Sequence, residues 1–148
     1  AELPQLVRFA TLSPVPGFAK WLEAQRRQPT NVTRPELDAL QALDAPDWHE
    51  DAAPELGDLL TRLAARYLVH AKSGPLPRDP VARFHLRNGA SLARIHAFAD
   101  TSPKGLRESF AVMVSYEYDD AELMANHEAF VAAGEIACSD AVRALADG

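Results

Sequence analysis

Apolar residues recur at two different periods along this chain, and the period changes mark its elements. Leu6-Val7-Arg8-Phe9-Ala10-Thr11-Leu12 is rich in strand-forming residues and stops at Ser13-Pro14, where the residue before proline is pushed extended. It predicts a strand. Pro14-Val15-Pro16-Gly17 is a stiff turn, and Phe18-Ala19-Lys20-Trp21-Leu22 opens an amphipathic helix to about Arg27. Thr33 before Arg34-Pro35-Glu36 reads as an N-cap with proline in the first turn, followed by the stripe Leu37, Leu40, Leu43. Asp44 to Pro54 predicts a connection with one helical turn. From Glu55 to about Val69, Leu56, Leu59, Leu60, Leu63, Tyr67 and Leu68 recur at three and four, the strongest helix in the sequence. Ser73-Gly74-Pro75-Leu76-Pro77 ends that block.

Beyond it, Asp79 can cap a helix that starts at Pro80, carries Val81, Phe84 and His85, and stops at Asn88-Gly89. Ser91 to Ala99 then alternates, with Ala93, Ile95, Ala97 and Ala99 on one side and Leu92, Arg94, His96 and Phe98 on the other. That predicts a strand. Asp100 to Gly105 reads as a loop. Ala111 to Tyr118, β-branched and aromatic, reads as the antiparallel partner of Ser91–Ala99. Asp120 to Ala146 is alanine-rich and helical in composition, with a break near Gly134. All but Pro103 of the eleven prolines lie at or before Pro80, so the second half is the more regular one. The order of strand, helices, strand, strand, helix means α/β or α+β, which pattern alone does not separate.

Composition narrows the class. With 148 residues, 47% hydrophobic and 24% charged, the chain is the size and make-up of one globular domain. It has no run of the roughly 20 apolar residues that a membrane span needs. The single Cys138 can form neither an intrachain disulfide nor a multi-cysteine zinc site, which points to a reducing, cytoplasmic setting. The first residues have no initiator Met and no signal-peptide pattern, and they read as a start within something longer.

The net charge of −6 argues against general nucleic-acid binding. Its distribution is uneven. Lys72, Arg78, Arg83, Arg87, Arg94, Lys104 and Arg107 face only Asp79 and Asp100 within their stretch, whereas Glu108 onward is strongly acidic. A basic middle within an acidic chain suits a compact polyanion, such as a phosphorylated cofactor, or it is simply a solvated surface.

No phosphate-binding glycine loop, metal motif or nucleophile elbow is present. The candidate groups are scattered. Ser13 sits where a strand meets a rigid turn, aimed into a cleft or capping the turn. His85 lies mid-helix, about 200° from Arg83 and Arg87, so it should face the body while they face outward. Tyr116 and Tyr118 share a strand face with Val112 and Val114, which ordinarily means core. Asp100, Ser102 and Lys104 are loop polars.

Taken together, four segments carry a resemblance. Phe9 to Leu22, with Leu12-Ser13-Pro14-Val15-Pro16-Gly17-Phe18 at its centre, resembles the Leu-Ser-Pro-Ile-Pro-Gly-Phe segment of malonyl-CoA decarboxylases. Pro80-Val81-Ala82-Arg83-Phe84-His85-Leu86-Arg87-Asn88-Gly89-Ala90 resembles that family's Pro-Val-Ala-x-Phe-His-Leu-x-Asn-Gly-Ala. Ala99 to Leu106 and Tyr116-Glu117-Tyr118 follow in the family's order, and only Gln25 to Lys72 is variable.

The resemblance implies the C-terminal half of an acetyltransferase-like (GNAT-like) catalytic domain with inserted helices. The family's helical N-terminal domain and its CoA-pyrophosphate segment would lie upstream of residues 1–148. It implies decarboxylation of malonyl-CoA to acetyl-CoA, with Ser13 and His85 catalytic and Tyr118, Ser13 and His85 lining the substrate. No metal or organic cofactor is expected, nor a nucleic-acid or membrane partner, and the whole protein would be a homo-oligomer. This chain departs from the family at Ser115, where Asn is usual, at His96-Ala97-Phe98, and at Phe110-Ala111; these bear on the acyl pocket. Two other readings compete: an N-acyltransferase on the same fold, and a non-enzymatic helical module that binds a partner through Leu59 and Leu63.

Overall fold

The opening β-rich run forms β1 (Arg8–Pro14) in a computed structural model that describes residues 7–148. Leu6, where the strand was expected to start, lies outside the described residues. β1 finds its partner at the far end of the chain. It runs antiparallel to β5 (Met113–Asp119), with Phe9 opposite Tyr118, Thr11 opposite Tyr116 and Ser13 opposite Val114. The other edge of β5 takes β4 (Ser91–His96), also antiparallel, so the sheet order is β1-β5-β4. The expected strand pair near 91–118 is present, joined by a third strand.

The strict alternation read for Ser91–Ala99 does not hold. A register shift between Leu92 and Arg94 inserts one residue, so Leu92 and Ile95 both face the core while Arg94 is exposed. Such a bulge breaks the period of two. The strand ends at His96, and Phe98 turns the chain at φ 54°.

Among the described residues there are seven α-helices, and those over Pro54–His70, Pro80–Arg87 and Asp140–Asp147 pack on β4. α1 (Phe18–Arg27) and α2 (Arg34–Ala39) start where the sequence places them, and the Thr33 cap is completed by Glu36 into a reciprocal capping box. A 3-10 turn over Leu40–Asp44 follows. α3 (Pro54–His70) is the central helix. Leu60, Leu63, Ala64 and Leu68 along it are fully enclosed and Leu59 is nearly so. The leucines that a helical interaction module would have offered to a partner are therefore spent on this chain's own core.

A small hairpin, β2 (Lys72–Ser73) with β3 (Leu76–Pro77), turns at Gly74, whose φ of 63° favours glycine. It leads into α4 (Pro80–Arg87), capped by Asp79 and closed at Asn88, as expected. The segment read as a loop after Asp100 instead contains α5 (Pro103–Ser109). Ser102 caps it and Pro103 occupies its first turn, a start signal that outweighs the glycine inside it. α6 (Leu123–Ala133) ends at a left-handed Gly134, and α7 (Asp140–Asp147) packs on α3.

The outer edge of β1 has no strand beside it among the described residues. Val7 and Phe9 are each 52% exposed there and Leu12 is 57% exposed, an apolar edge of the kind native proteins usually cover. Exposure of Val7 and Phe9 was the expectation for a strand lacking one neighbour.

Candidate active site

Alternation along β1 places Phe9, Thr11 and Ser13 on one face, opposite Tyr118, Tyr116 and Val114 of β5. On α4 the buried stripe is Ala82, His85 and Leu86, so the helix turns His85 onto that same face. Phe84 and Arg87 point outward and are exposed, while Arg83 is half-buried. His85 thus faces the body as its helical position required.

Three hydrogen bonds meet there. Ser13 Oγ and His85 Nε2 are 3.1 Å apart across 72 positions of sequence. His85 Nδ1 and the Tyr118 hydroxyl are 2.6 Å apart. Thr11 Oγ1 lies 3.3 Å from Ser13 Oγ. The imidazole is stacked on the Tyr116 ring, centroids 4.2 Å apart and 18° between planes, while Phe9 stacks on the outer side of Tyr118 at 5.0 Å. The ring is therefore clamped at both nitrogens and on one face.

Burial sets the protonation. It pushes the His85 imidazole below its usual range, so the neutral ring is the resting form, and it raises the Tyr118 phenol. Tyr116 is driven well up by burial and then by the Asp79 charge, and its hydroxyl is buried without a hydrogen-bond partner. All three groups stay uncharged near neutral pH.

A neutral imidazole has one N–H, so the two tautomers differ in what they offer. With the proton on Nδ1, Ser13 must donate to Nε2 and shows only lone pairs outward. With the proton on Nε2, Tyr118 donates to Nδ1, Nε2–H donates to Ser13 Oγ, and the Ser13 proton is free. A carboxylate brought to Ser13 selects the second arrangement, in which every O–H and N–H points towards it.

Of the residues singled out from sequence, Ser13, His85 and Tyr118 are brought together. Asp100 and Ser102 serve the start of α5, with Asp100 Oδ1 accepting from the Ser102 N–H. Ser115 and His96, two of the departures from the family pattern, touch each other at 2.7 Å. They lie on the opposite face of the sheet from Tyr116. Phe98 and Phe110 pack around Trp48, also away from His85. Thr11 was missed, although its place two residues before Ser13 on a strand puts both on one face. Tyr116 was read only as core, and nothing in its spacing distinguishes a ring that packs from one that stacks on the His85 imidazole.

The structure is thus a mixed α/β domain in which Ser13, His85 and Tyr118 form one hydrogen-bonded chain, and among the described residues no carboxylate is bonded to the imidazole. Among the described residues no group of three His, Cys, Asp or Glu side chains is placed to hold a metal. The chain matches the malonyl-CoA decarboxylase C-terminal domain model over residues 1–148 and belongs to that family. It is 33% identical to the mitochondrial malonyl-CoA decarboxylase of Anser anser anser and 34% identical to that of Mus musculus, alignments covering 95% and 97% of this chain. It spans about one third of those relatives, 32% and 34% of their lengths. Its fold matches crystal structures of malonyl-CoA decarboxylase from Rhodopseudomonas palustris, with TM-score 0.89 and 48% identity, and from Agrobacterium vitis, with TM-score 0.87 and 41% identity. These cover 93% and 95% of this chain, and 33% and 36% of the solved ones.

Proposed function

We propose that this chain carries the reacting groups for decarboxylation of malonyl-CoA to acetyl-CoA and CO₂. The observation that carries the reading is the hydrogen-bonded chain that links Tyr118, His85 and Ser13. The match to decarboxylases of known structure supports the substrate, and Arg83 and Arg87 flanking the exposed Phe84 supply cationic surface for a polyanion.

Loss of CO₂ from a malonyl thioester leaves an enolate, which needs one proton at carbon. The thioester accepts the electron pair, so the reaction asks the protein only for hydrogen-bond donors and that proton. Ser13 O–H donates to the substrate, a position where a preorganised donor acts on developing charge. As the C–C bond breaks, the enolate carbon takes a proton from the Ser13–His85 pair. His85 releases it from Nε2 and regains one at Nδ1 from Tyr118, which recovers its own from water. The balance is one carboxylate and one proton consumed, one CO₂ and one acetyl thioester formed. A thioester enolate is far more basic than a phenolate, so the relay runs downhill without a resident imidazolium.

We also read the architecture as the C-terminal half of an acetyltransferase-like domain, supported by the β1-β5-β4 order and the uncovered outer edge of β1. Single Cys138 favours a cytoplasmic location, while the curated relatives bear the word mitochondrial in their names. The test is labelled malonyl-CoA given to the intact protein with no amine present. Stoichiometric labelled CO₂ and acetyl-CoA support decarboxylation. Turnover only when an amine is added, with malonyl transferred intact, overturns it in favour of an N-acyltransferase.

A further inference from the structure

Asp79 is fully buried, immediately before α4, and lies outside the Ser13–His85–Tyr118 chain of hydrogen bonds. Its Oδ2 accepts the Ala82 N–H at 3.0 Å, which is the helix cap. Its Oδ1 accepts the Tyr67 hydroxyl at 3.2 Å and the Gly17 N–H at 3.4 Å. One carboxylate therefore joins three segments: the first turn of α4, the last turn of α3, and the turn that begins at the end of β1.

A helix cap alone asks for one acceptor, which serine or threonine would supply without burying a charge. Burial is the largest influence and pushes the Asp79 carboxyl above its ordinary value, while the Ala82, Gly17 and Tyr67 donors pull it back down. Every partner named is a donor, so the ionised carboxylate is the form that satisfies them all. Gly17 fits the same picture, because a Cβ there would collide with the Tyr67 hydroxyl. Between Gly17 and Ser13 the chain is Pro14-Val15-Pro16, with Val15 fully buried, so little slack separates the tether from the serine. On the other side, His85 lies within the helix whose first turn Asp79 holds.

We propose that Asp79 is a positioning residue that sets the Ser13–His85 separation by clamping the Pro14–Gly17 turn and the start of α4 onto one buried carboxylate. The inference rests on the decarboxylase reading for its effect on rate, but not for its effect on the geometry of His85.

Two substitutions separate the clamp from the cap. Asp79→Ser keeps a capping hydroxyl for Ala82 but is too short to reach Gly17 and Tyr67. Asp79→Asn keeps the reach: its oxygen can cap Ala82 and its amide can donate to the Tyr67 oxygen, leaving only Gly17 without its acceptor. In the intact protein, kcat and KM for malonyl-CoA are measured on the folded fraction, alongside ¹⁵N NMR of the His85 imidazole. Asp79→Ser is expected to lower kcat by about 10- to 100-fold with KM within about 2-fold, the signature of misplaced reacting groups. The Nε2 signal should move towards that of a tautomer average, and Asp79→Asn should recover much of both losses.

Wild-type kcat and unmoved His85 signals in folded Asp79→Ser overturn the proposal. If Asp79→Ser does not fold, Tyr67→Phe removes one donor, and unchanged kcat together with unmoved imidazole signals then overturns it. If the wild-type protein releases no CO₂, the functional reading fails, and the imidazole signals of folded Asp79→Ser decide the clamp on their own: moved supports it, unmoved overturns it.

Discussion

His85 Nδ1 faces the Tyr118 hydroxyl at 2.6 Å, so the group that orients this imidazole is a neutral phenol. A hydrolytic triad places a carboxylate there, which favours an imidazolium and so lets the serine lose its proton to become a nucleophile. A half-buried, neutral phenol gives the imidazolium no such support. On the proposed decarboxylase reading, the pair Ser13–His85 hands protons outward instead of making the serine a nucleophile.

His85→Asn is expected to lower decarboxylation by at least about 10²-fold, the lower range for a lost acid–base group. The asparagine amide can still donate to Ser13 but cannot pass a proton on. CO₂ release by the purified intact variant measures it, and wild-type turnover would remove His85 from the mechanism.

Tyr118→Phe keeps the ring and its stack with Phe9 but takes away the proton that replenishes Nδ1. The expected loss is about 10- to 100-fold in kcat with KM little changed. An unchanged kcat would show that His85 is reprotonated by another route.

Stability should fall in mild acid through His85. Burial lowers its folded pKa below the unfolded value of 6.5, so the unfolded state binds the proton more readily. The contribution is complete above pH 6.5 and is lost as pH falls from there through the folded pKa. Denaturant midpoints from pH 8 to pH 5 should show a loss in the wild type that is smaller in His85→Asn; identical slopes would contradict it.

Glu36 sets a second, more acidic window. Burial opposes its charge, but the Arg66 guanidinium and the Thr33 N–H outweigh it and hold the carboxyl down to about 2. Its contribution is present above about pH 4.5, the unfolded value, and fades between 4.5 and 2. Glu36→Gln should lower stability near pH 7 and flatten the acid limb in that interval. An acid limb as steep as the wild type's would contradict the assignment.

Residues 1–148 by themselves are expected to bind malonyl-CoA weakly or not at all. Ser13, His85 and Tyr118 are assembled, but among the described residues the edge of β1 beside them, with Phe9 and Leu12 half-exposed, has no strand on it. Calorimetry on the isolated chain decides it, and micromolar binding would mean that the binding site is complete within these residues.

What the sequence determined by itself is local. The Thr33 and Asp79 caps, the prolines that follow them, and the three-and-four spacing from Leu56 to Leu68 depend on neighbours within a turn or two, so α2, α3 and α4 were legible. The inward direction of His85 followed from its angle on α4. The motif order was enough to group Ser13, His85 and Tyr118, though not to place them. Other features depended on contacts far along the chain. The bulge at Leu92/Arg94 arises from pairing with β5, and β1 pairs with residues far along the chain, from Pro14 with Met113 to Arg8 with Asp119. Asp79 reads as a cap from sequence because a cap is a local bond. Its hold on Gly17, 62 positions earlier, exists only once α3 has brought the two segments against Tyr67. The same holds for the stacked Tyr116 ring: hydrophobic pattern fixes which face a side chain takes, and only the packing of helix against sheet decides what it meets there.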